Sequence, residues 1–348
     1  MRYRGLNRRH FSSAVAWSIA SWAVPVTSAP SAPEKAKITI AVAGKAALCY
    51  LALTVADQLG HFRAEGLDVD IRDFGTSESA GQAAVAGSAD VVSGVFEDTI
   101  RLQSGGHKFQ CFVLQGRVPG IAMGISPKTL PQYQSVADLK GRKIGISTLG
   151  SSCQRMASFV LARAGLGPAE VSFVSVGSAA GALSALRTGQ IDAMCNVDPV
   201  VTMLEHRGEC RIVADARTLK GTMELFGGPM PGACLYASTE FVRNNPDTVQ
   251  AVTHAMVRSL KWLLTAGPSD IIKTVPESHF LGDRAQFLAA FDKAREAISP
   301  DGMLTDDGPR TALKVLASLD AGVRSEKIAL AQTYTNAFAR SAKTRFKA

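Results

Sequence analysis

The stretch STLGSSCQ at 147–154 gathers residue types that can hold an anion without spending a formal positive charge. A glycine and two serines at a helix start (Gly150, Ser151, Ser152) offer free backbone N–H groups, hydroxyl donors and the positive end of the helix dipole. That set suits a carboxylate, sulfonate or phosphate. The same serines also suit plain helix capping, so the segment alone leaves both roles open. A matching strand end, Gly44-Lys45-Ala46-Ala47-Leu48-Cys49-Tyr50, adds a cation at Lys45 and a phenol at Tyr50.

Further candidates sit at other strand ends. Phe96 offers a ring that could stack on a planar solute, and Asp198, beside Asn196, offers an acceptor for an amine or hydroxyl. Glu97 and Asp98 follow Phe96. They read either as acids favoured at a helix N-terminus or as pocket groups, and in the second case the ligand is zwitterionic rather than a bare anion. Cys49, Cys153 and Cys195 also fall at strand ends, which keeps a thiol or soft-metal chemistry in view, Cys153 in a first helical turn being placed for a lowered pKa. Against it, the six cysteines show no C-x-x-C spacing and the six histidines are scattered. No HExxH, Walker loop or Ser/His/Asp order is present, so the sequence presents no catalytic constellation and no metal or cofactor is expected.

The elements that must position these residues are written twice. KITIAVAGKAALCYLALTVADQLG (37–60) and RKIGISTLGSSCQRMASFVLARAG (142–165) are each an apolar strand, a glycine turn and a helix. LDVDIRDFG and VSFVSVG then end at Gly75 and Gly177, each leading into a helix that starts with Ser or Thr. AAVAGSADVVSGVFE (83–97) and ALRTGQIDAMCNVDP (185–199) close the two copies. In each, a glycine (Gly87, Gly189) reads as a left-handed helix C-cap and an aspartate (Asp90, Asp192) opens the next strand. A doubled β-α-β-α-β order predicts an α/β protein of two lobes, each a mainly parallel sheet flanked by helices, with the ligand cleft at the strand carboxyl ends. Lobe one is expected at 36–118 plus 225–348 and lobe two at 119–224. The tail is helical, with Val249, Val252, Met256, Leu260 and Leu263 in one stripe.

With 348 residues, 46% hydrophobic and 20% charged, the chain has room for two ordinary domains. Its net charge of +8 falls to +4 without Arg2, Arg4, Arg8 and Arg9, and four more cations sit in the last nine residues, so no nucleic-acid partner is implied. Residues 1–28 read as an export signal: a basic start, an apolar run from Ala14 to Val24, then small residues. Asn7-Arg8-Arg9-His10-Phe11 fits a twin-arginine signal, which places the mature protein in the periplasm.

In order and spacing, ADQLGHFRAEGLDVDI, AGQAAVAGSADVVSG, SVADLKGRKIGIS and ALSALRTGQIDAM resemble the periplasmic solute-binding proteins of nitrate, sulfonate and taurine importers, including the NMT1/THI5-like type. The resemblance implies a type II periplasmic-binding fold that closes by hinge motion on a small organic anion or a heteroaromatic or zwitterionic solute of the sulfonate, taurine, nitrate or thiamine-pyrimidine class. It implies delivery to an ABC permease driven by a separate ATPase, by a monomer without enzymatic activity. It also implies that ligand contacts come from the strand-end loops, here Lys45, Tyr50, Phe96, Ser151, Ser152 and Asp198. A thiol- or metal-dependent enzyme using Cys49, Cys153 and Cys195, and a periplasmic sensor module, are the competing readings.

Overall fold

The computed structural model describes Met1 and residues 32–348; the export-signal segment otherwise lies outside the described residues. Ten strands fall into two five-stranded sheets. The first contains β1 (Lys37–Val42), β2 (Asp68–Asp73), β3 (Val91–Val95), β4 (Phe109–Leu114) and β10 (Ala233–Ser238), in the order β2-β1-β3-β10-β4. The second contains β5 (Ile121–Ile125), β6 (Lys143–Ile146), β7 (Ser172–Ser175), β8 (Ala193–Val197) and β9 (Arg211–Ala216), in the order β7-β6-β8-β5-β9. β1 pairs in parallel with β2 and β3, and β6 with β7 and β8. One strand per sheet runs the other way: β10 in the first and β5 in the second. Each of these two strands is the first after the chain changes sheets.

The helices of the first half are α1 (Leu51–Gln58), α2 (His61–Ala64), α3 (Ser77–Val85) and α4 (Glu97–Ser104). The second sheet carries α5 (Ser152–Arg163), α6 (Ala180–Thr188), α7 (Val200–His206) and α8 (Leu219–Phe226). The tail forms α9 (Thr239–Asn244), α10 (Pro246–Thr265), α11 (Pro268–Thr274), α12 (Arg284–Ala294), α13 (Gly308–Leu319) and α14 (Ala337–Phe346). α10 buries the stripe Val249, Val252, Met256, Leu260 and Leu263 against α1, α2 and α14. The tail does not pack on lobe one alone: α12 lies on α7, and α13 touches both α4 and α5. Among the described residues no helix is long and apolar enough to cross a membrane.

The duplication is visible at atomic detail. Gly87 and Gly189 take φ of 75° and 77°, which glycine adopts without a Cβ penalty. Three residues on, Asp90 Oδ2 accepts from the Thr39 amide at 3.0 Å, and Asp192 Oδ2 accepts from the Lys143 amide at 3.0 Å. Each carboxylate thus pins the strand that follows its helix to the first strand of its repeat, β1 or β6.

The two connections between the sheets touch at Gly232. Its amide donates to Gly116 O and its carbonyl accepts from the Phe96 amide, both at 3.0 Å. A Cβ there would stand 1.9 Å from the Val118 carbonyl oxygen, so only glycine lets the crossings pass. Gly232→Ala should destabilise the protein by about 2 kcal/mol or more, because backbone rather than a pliable side chain must yield. A urea midpoint unchanged from wild type would show that the crossings have slack.

Candidate ligand-binding site

The carboxyl ends of the two sheets face one another across a cavity of about 40 Å³. Its walls come from both lobes: Ala43, Ala47, Cys49, Tyr50, Gly75, Thr76 and Ser77 on one side, and Ser147, Thr148, Ser151, Ser152, Cys153, Ser178 and Val197 on the other. Seven aliphatic hydroxyls (Thr76, Ser77, Ser147, Thr148, Ser151, Ser152, Ser178) therefore meet there, and no Lys, Arg, Asp or Glu is among the lining residues. α3 and α5 both start at this cavity. Thr76 Oγ1 caps α3 by accepting from the Ser79 amide, and Ser151 Oγ caps α5 by accepting from the Gln154 amide. The preceding first-turn amides of each helix have no place in the helical ladder, and both dipoles present their positive ends here.

Of the nine residues expected in the site, Tyr50, Ser151 and Ser152 line this cavity. Gly150 sits just outside: it shapes the loop with a φ of 77° and donates its amide to Gln154 Oε1 at 2.6 Å. Lys45 does not line it; its amide is held by Asp73 Oδ2 at 2.9 Å on the lobe-one side. Phe96 corrects the expectation of a stacking platform. It is fully buried, with its ring edge-on to Tyr334 at 6.3 Å, because the residue between β3 and α4 turns into the lobe-one core. Asn196 is a scaffold residue: its amide group donates to Gly177 O at 2.8 Å and so fixes the loop that carries Ser178.

Asp198 is buried on the far side of the hinge, where it lines a separate, largely apolar cavity of about 50 Å³ with Arg217. Its Oδ1 accepts from the Thr202 amide at 2.9 Å, and its backbone carbonyl accepts across the lobes from the Leu48 amide at 3.0 Å. Burial pushes its carboxyl above the usual aspartate range despite the Arg217 guanidinium beside it. Its structural work is to anchor α7 and Arg217, not to face the hydroxyl-lined cavity.

Glu97 meets the helix N-terminus reading and not the pocket one. It and Asp98, in the first turn of α4, hold Arg155 of α5 in the opposite lobe. Arg155 Nε donates to Glu97 Oε1 at 2.6 Å, Nη2 reaches Asp98 Oδ1 at 3.3 Å, and Nη1 donates to the Gly150 carbonyl at 2.5 Å. One guanidinium thereby ties the lobes together and fixes the loop before the paired serines. Sequence reasoning missed Arg155 and also Arg217, which is 1% exposed and bonded to Asp215, Glu205, Asp198 and Thr202. The available signal was an arginine in the first turn of a helix, where the dipole disfavours it and a carboxylate partner is required. Thr76, Ser77, Ser147, Thr148 and Ser178 lie on the strand ends that the repeat marks, but nothing in their types separates them from ordinary turn residues.

All six cysteines are free thiols. Cys49 and Cys153 line the cavity from opposite lobes. Burial pushes the Cys49 thiol up to about 12 and raises Cys153 and Cys195 as well, which opposes the thiolate that nucleophilic or metal chemistry needs. Among the described residues no group of three or more His, Cys, Asp or Glu is arranged to hold a metal.

Comparison with known proteins follows from this geometry. The NMT1/THI5-like family model matches residues 50–269. The chain belongs to the NMT1/THI5-like family. It is 26% identical over 222 residues to the binding protein BAB2_1146 of Brucella abortus, a match spanning 63% of this chain and 64% of that protein's length. Among solved structures, a Bordetella bronchiseptica protein is 51% identical, with a TM-score of 0.88 over 91% of this chain and 99% of the other. The alkanesulfonate-binding protein SsuA of Xanthomonas axonopodis, bound to MOPS, shares the fold at 21% identity and a TM-score of 0.66, over 87% of this chain and 99% of that one. The desulfurization enzyme DSZB shares the fold as well, at 18% identity and a TM-score of 0.59, over 90% of this chain and 100% of that one. The two-lobed fold expected of this NMT1/THI5-like chain is thus the fold found.

Two outcomes test the electrostatics. Burial, opposed by the Arg155 guanidinium and aided by the Glu97 charge, raises the Asp98 carboxyl to about 6. A raised folded-state pKa favours folding at low pH and loses that contribution as pH rises through the folded value. Asp98→Asn should therefore gain stability relative to wild type by on the order of 2 kcal/mol between about pH 4 and pH 7, read from urea unfolding at both. A difference that does not change with pH would mean Asp98 titrates normally. For the thiols, iodoacetamide at neutral pH should modify the folded chain at least about tenfold more slowly than the unfolded chain, followed by mass spectrometry; rapid labelling of Cys49 or Cys153 would restore the thiol chemistry.

Proposed function

We propose that this chain is an exported, monomeric receptor that captures a small solute by its anionic group in the interlobe cleft. The solute is a sulfonate, carboxylate or related anion, zwitterions included, and it passes to an ABC permease driven by a separate ATPase. Export to the periplasm by the twin-arginine route rests on Asn7-Arg8-Arg9-His10-Phe11. The observation that carries the reading is the convergence of two capped helix N-termini and seven hydroxyls on a cavity lined by no charged side chain. Such a site supplies partial positive charge and many donors from groups already fixed by the fold, so an anion loses its water without the cost of burying a lone cation.

The thiol-enzyme reading has Cys49 and Cys153 at the cavity in its favour, but their raised pKa values leave little nucleophile at neutral pH. Replacing Ser151 and Ser152 together by alanine should weaken binding of a sulfonate or carboxylate by about 2 kcal/mol or more through lost donors. A thermal-shift screen of small sulfonates, carboxylates, nitrate and taurine finds the solute class, since a ligand that binds only the folded chain raises its Tm. Isothermal titration of the hit against the double variant then decides. Affinity equal to wild type would remove the serines from the site, and turnover of the ligand would replace the receptor by an enzyme.

A further inference from the structure

A second chamber, of about 240 Å³, opens within lobe one between α3 and α4. It is lined on one side by Ser77, Glu78, Gly81 and Gln82 and on the other by Asp98 and Arg101, with Tyr236 of β10 at its floor. Two of these groups are buried polar atoms left without a hydrogen bond. Asp98 is 5% exposed and Tyr236 0%, yet Asp98 Oδ2 and Tyr236 Oη have no partner among the described residues. Asp98 Oδ1 is already shared by Arg155 at 3.3 Å and Arg101 at 3.9 Å, so the orphaned oxygen is the one those guanidinium groups do not serve.

The duplication supplies an internal control. Tyr236 pairs with Val92 in the first sheet, and at the same register in the second sheet Gly124 pairs with Met194. Counting from the equivalent strands β3 and β8, Asp98 corresponds to Val200. Lobe two therefore builds the same architecture with glycine and valine where lobe one buries a phenol and a carboxylate. Folding of a lobe does not need the Tyr236 hydroxyl, and Asp98 serves Arg155 through Oδ1 alone, so Oδ2 is left over; leaving a buried polar atom unpaired is costly. The small residues of α3 facing β10 keep the space open: a Cβ at Gly81 would come within 3.6 Å of Tyr236 Oη.

We infer that this chamber is a second binding site, separate from the interlobe cleft, for a small amine in its ammonium form. Two unpaired acceptors, Asp98 Oδ2 and Tyr236 Oη, suit the donors of a primary ammonium, with the Glu78 carboxylate adding negative potential; Ser77 stands at the rim the chamber shares with the cleft. Arg101 and His107 also line the chamber, but the Arg101 guanidinium lies toward Asp98 Oδ1 at 3.9 Å and not the unpaired Oδ2, whereas an anion would meet both carboxylates. The chamber exceeds by far the roughly 10–15 Å³ that one water needs. Because Asp98 also bridges to Arg155, an occupant would sit against the contact that joins the lobes.

The test is a titration of the full chain with ethanolamine at neutral pH, read by calorimetry, with ethylene glycol as the uncharged isostere. Saturable binding of ethanolamine, absent for ethylene glycol, is expected. Tyr236→Phe removes only the unpartnered hydroxyl and should fold as well as wild type while binding ethanolamine at least about fivefold more weakly. Ser151→Ala with Ser152→Ala should leave this binding unchanged, so failure of the cleft proposal and failure of this one are told apart. No saturation into the tens of millimolar, equal binding of ethylene glycol, or full affinity in Tyr236→Phe would each overturn the inference. So would a crystal structure grown with ethanolamine that shows only water between Asp98 and Tyr236.

Discussion

The closed arrangement depends on one guanidinium. Arg155 comes from lobe two, keeps its side chain only 13% exposed, and finds its countercharges on lobe one at Glu97 and Asp98. Taking three charges out of water costs several kcal/mol per ion, and their mutual attraction repays this only with close geometry. Separation of the lobes returns all three to water, so the lost attraction is offset by regained hydration. A contact of this kind can join two lobes without locking them, which a large apolar interface could not do. Burial raises Asp98 while its partner Arg155 is held more firmly charged, so the pair is strained on the acidic side alone.

The same arginine decides the chemistry of the cleft. Its charge is neutralised at the cleft wall, and its third contact, to the Gly150 carbonyl, sets the loop from which Ser151 and Ser152 emerge. The solute cavity next to it is left with hydroxyls and helix ends. Recognition by such neutral groups depends on the shape and number of acceptor oxygens more than on net charge, because each donor must find its own acceptor to recover its desolvation. Arg217 plays the parallel part behind the hinge. There it gathers Asp198, Asp215 and Glu205, which hold its guanidinium away from the hydroxyl-lined cavity.

Much of the fold was legible because it is periodic. Strand, glycine, helix and aspartate recur at fixed spacing, and the backbone bonds of Asp90 and Asp192 follow from that spacing alone. In the site, Ser151, Ser152 and Tyr50 were legible because strand-end loops face the cleft whatever residues they carry. Phe96 and Asp198 were misplaced although their strand ends were right. One residue past a strand, the chain can turn its side chain into the cleft or into the core, and a half-turn of backbone decides which. Arg155 escaped because its partners lie 57 and 58 residues away, in the other lobe. Contacts of that range are set by packing, which no local pattern records.

The duplication also separates what the fold requires from what this protein has added. Features shared by both lobes, such as the strand order, the left-handed glycines and the aspartate staples, are architectural, since each copy needs them to fold. Features found in one lobe alone have to be explained otherwise. Three helix positions after its first residue, α5 carries Arg155, while its counterpart α1 carries the buried Thr54. The threonine stays within its own lobe, its hydroxyl 3.5 Å from His279 Nε2, and the arginine reaches across to the other lobe. Lobe two thus contributes the bridge and lobe one the carboxylates that receive it. The two otherwise matching frames therefore differ at the contact between the lobes, which the folding of either lobe alone does not require.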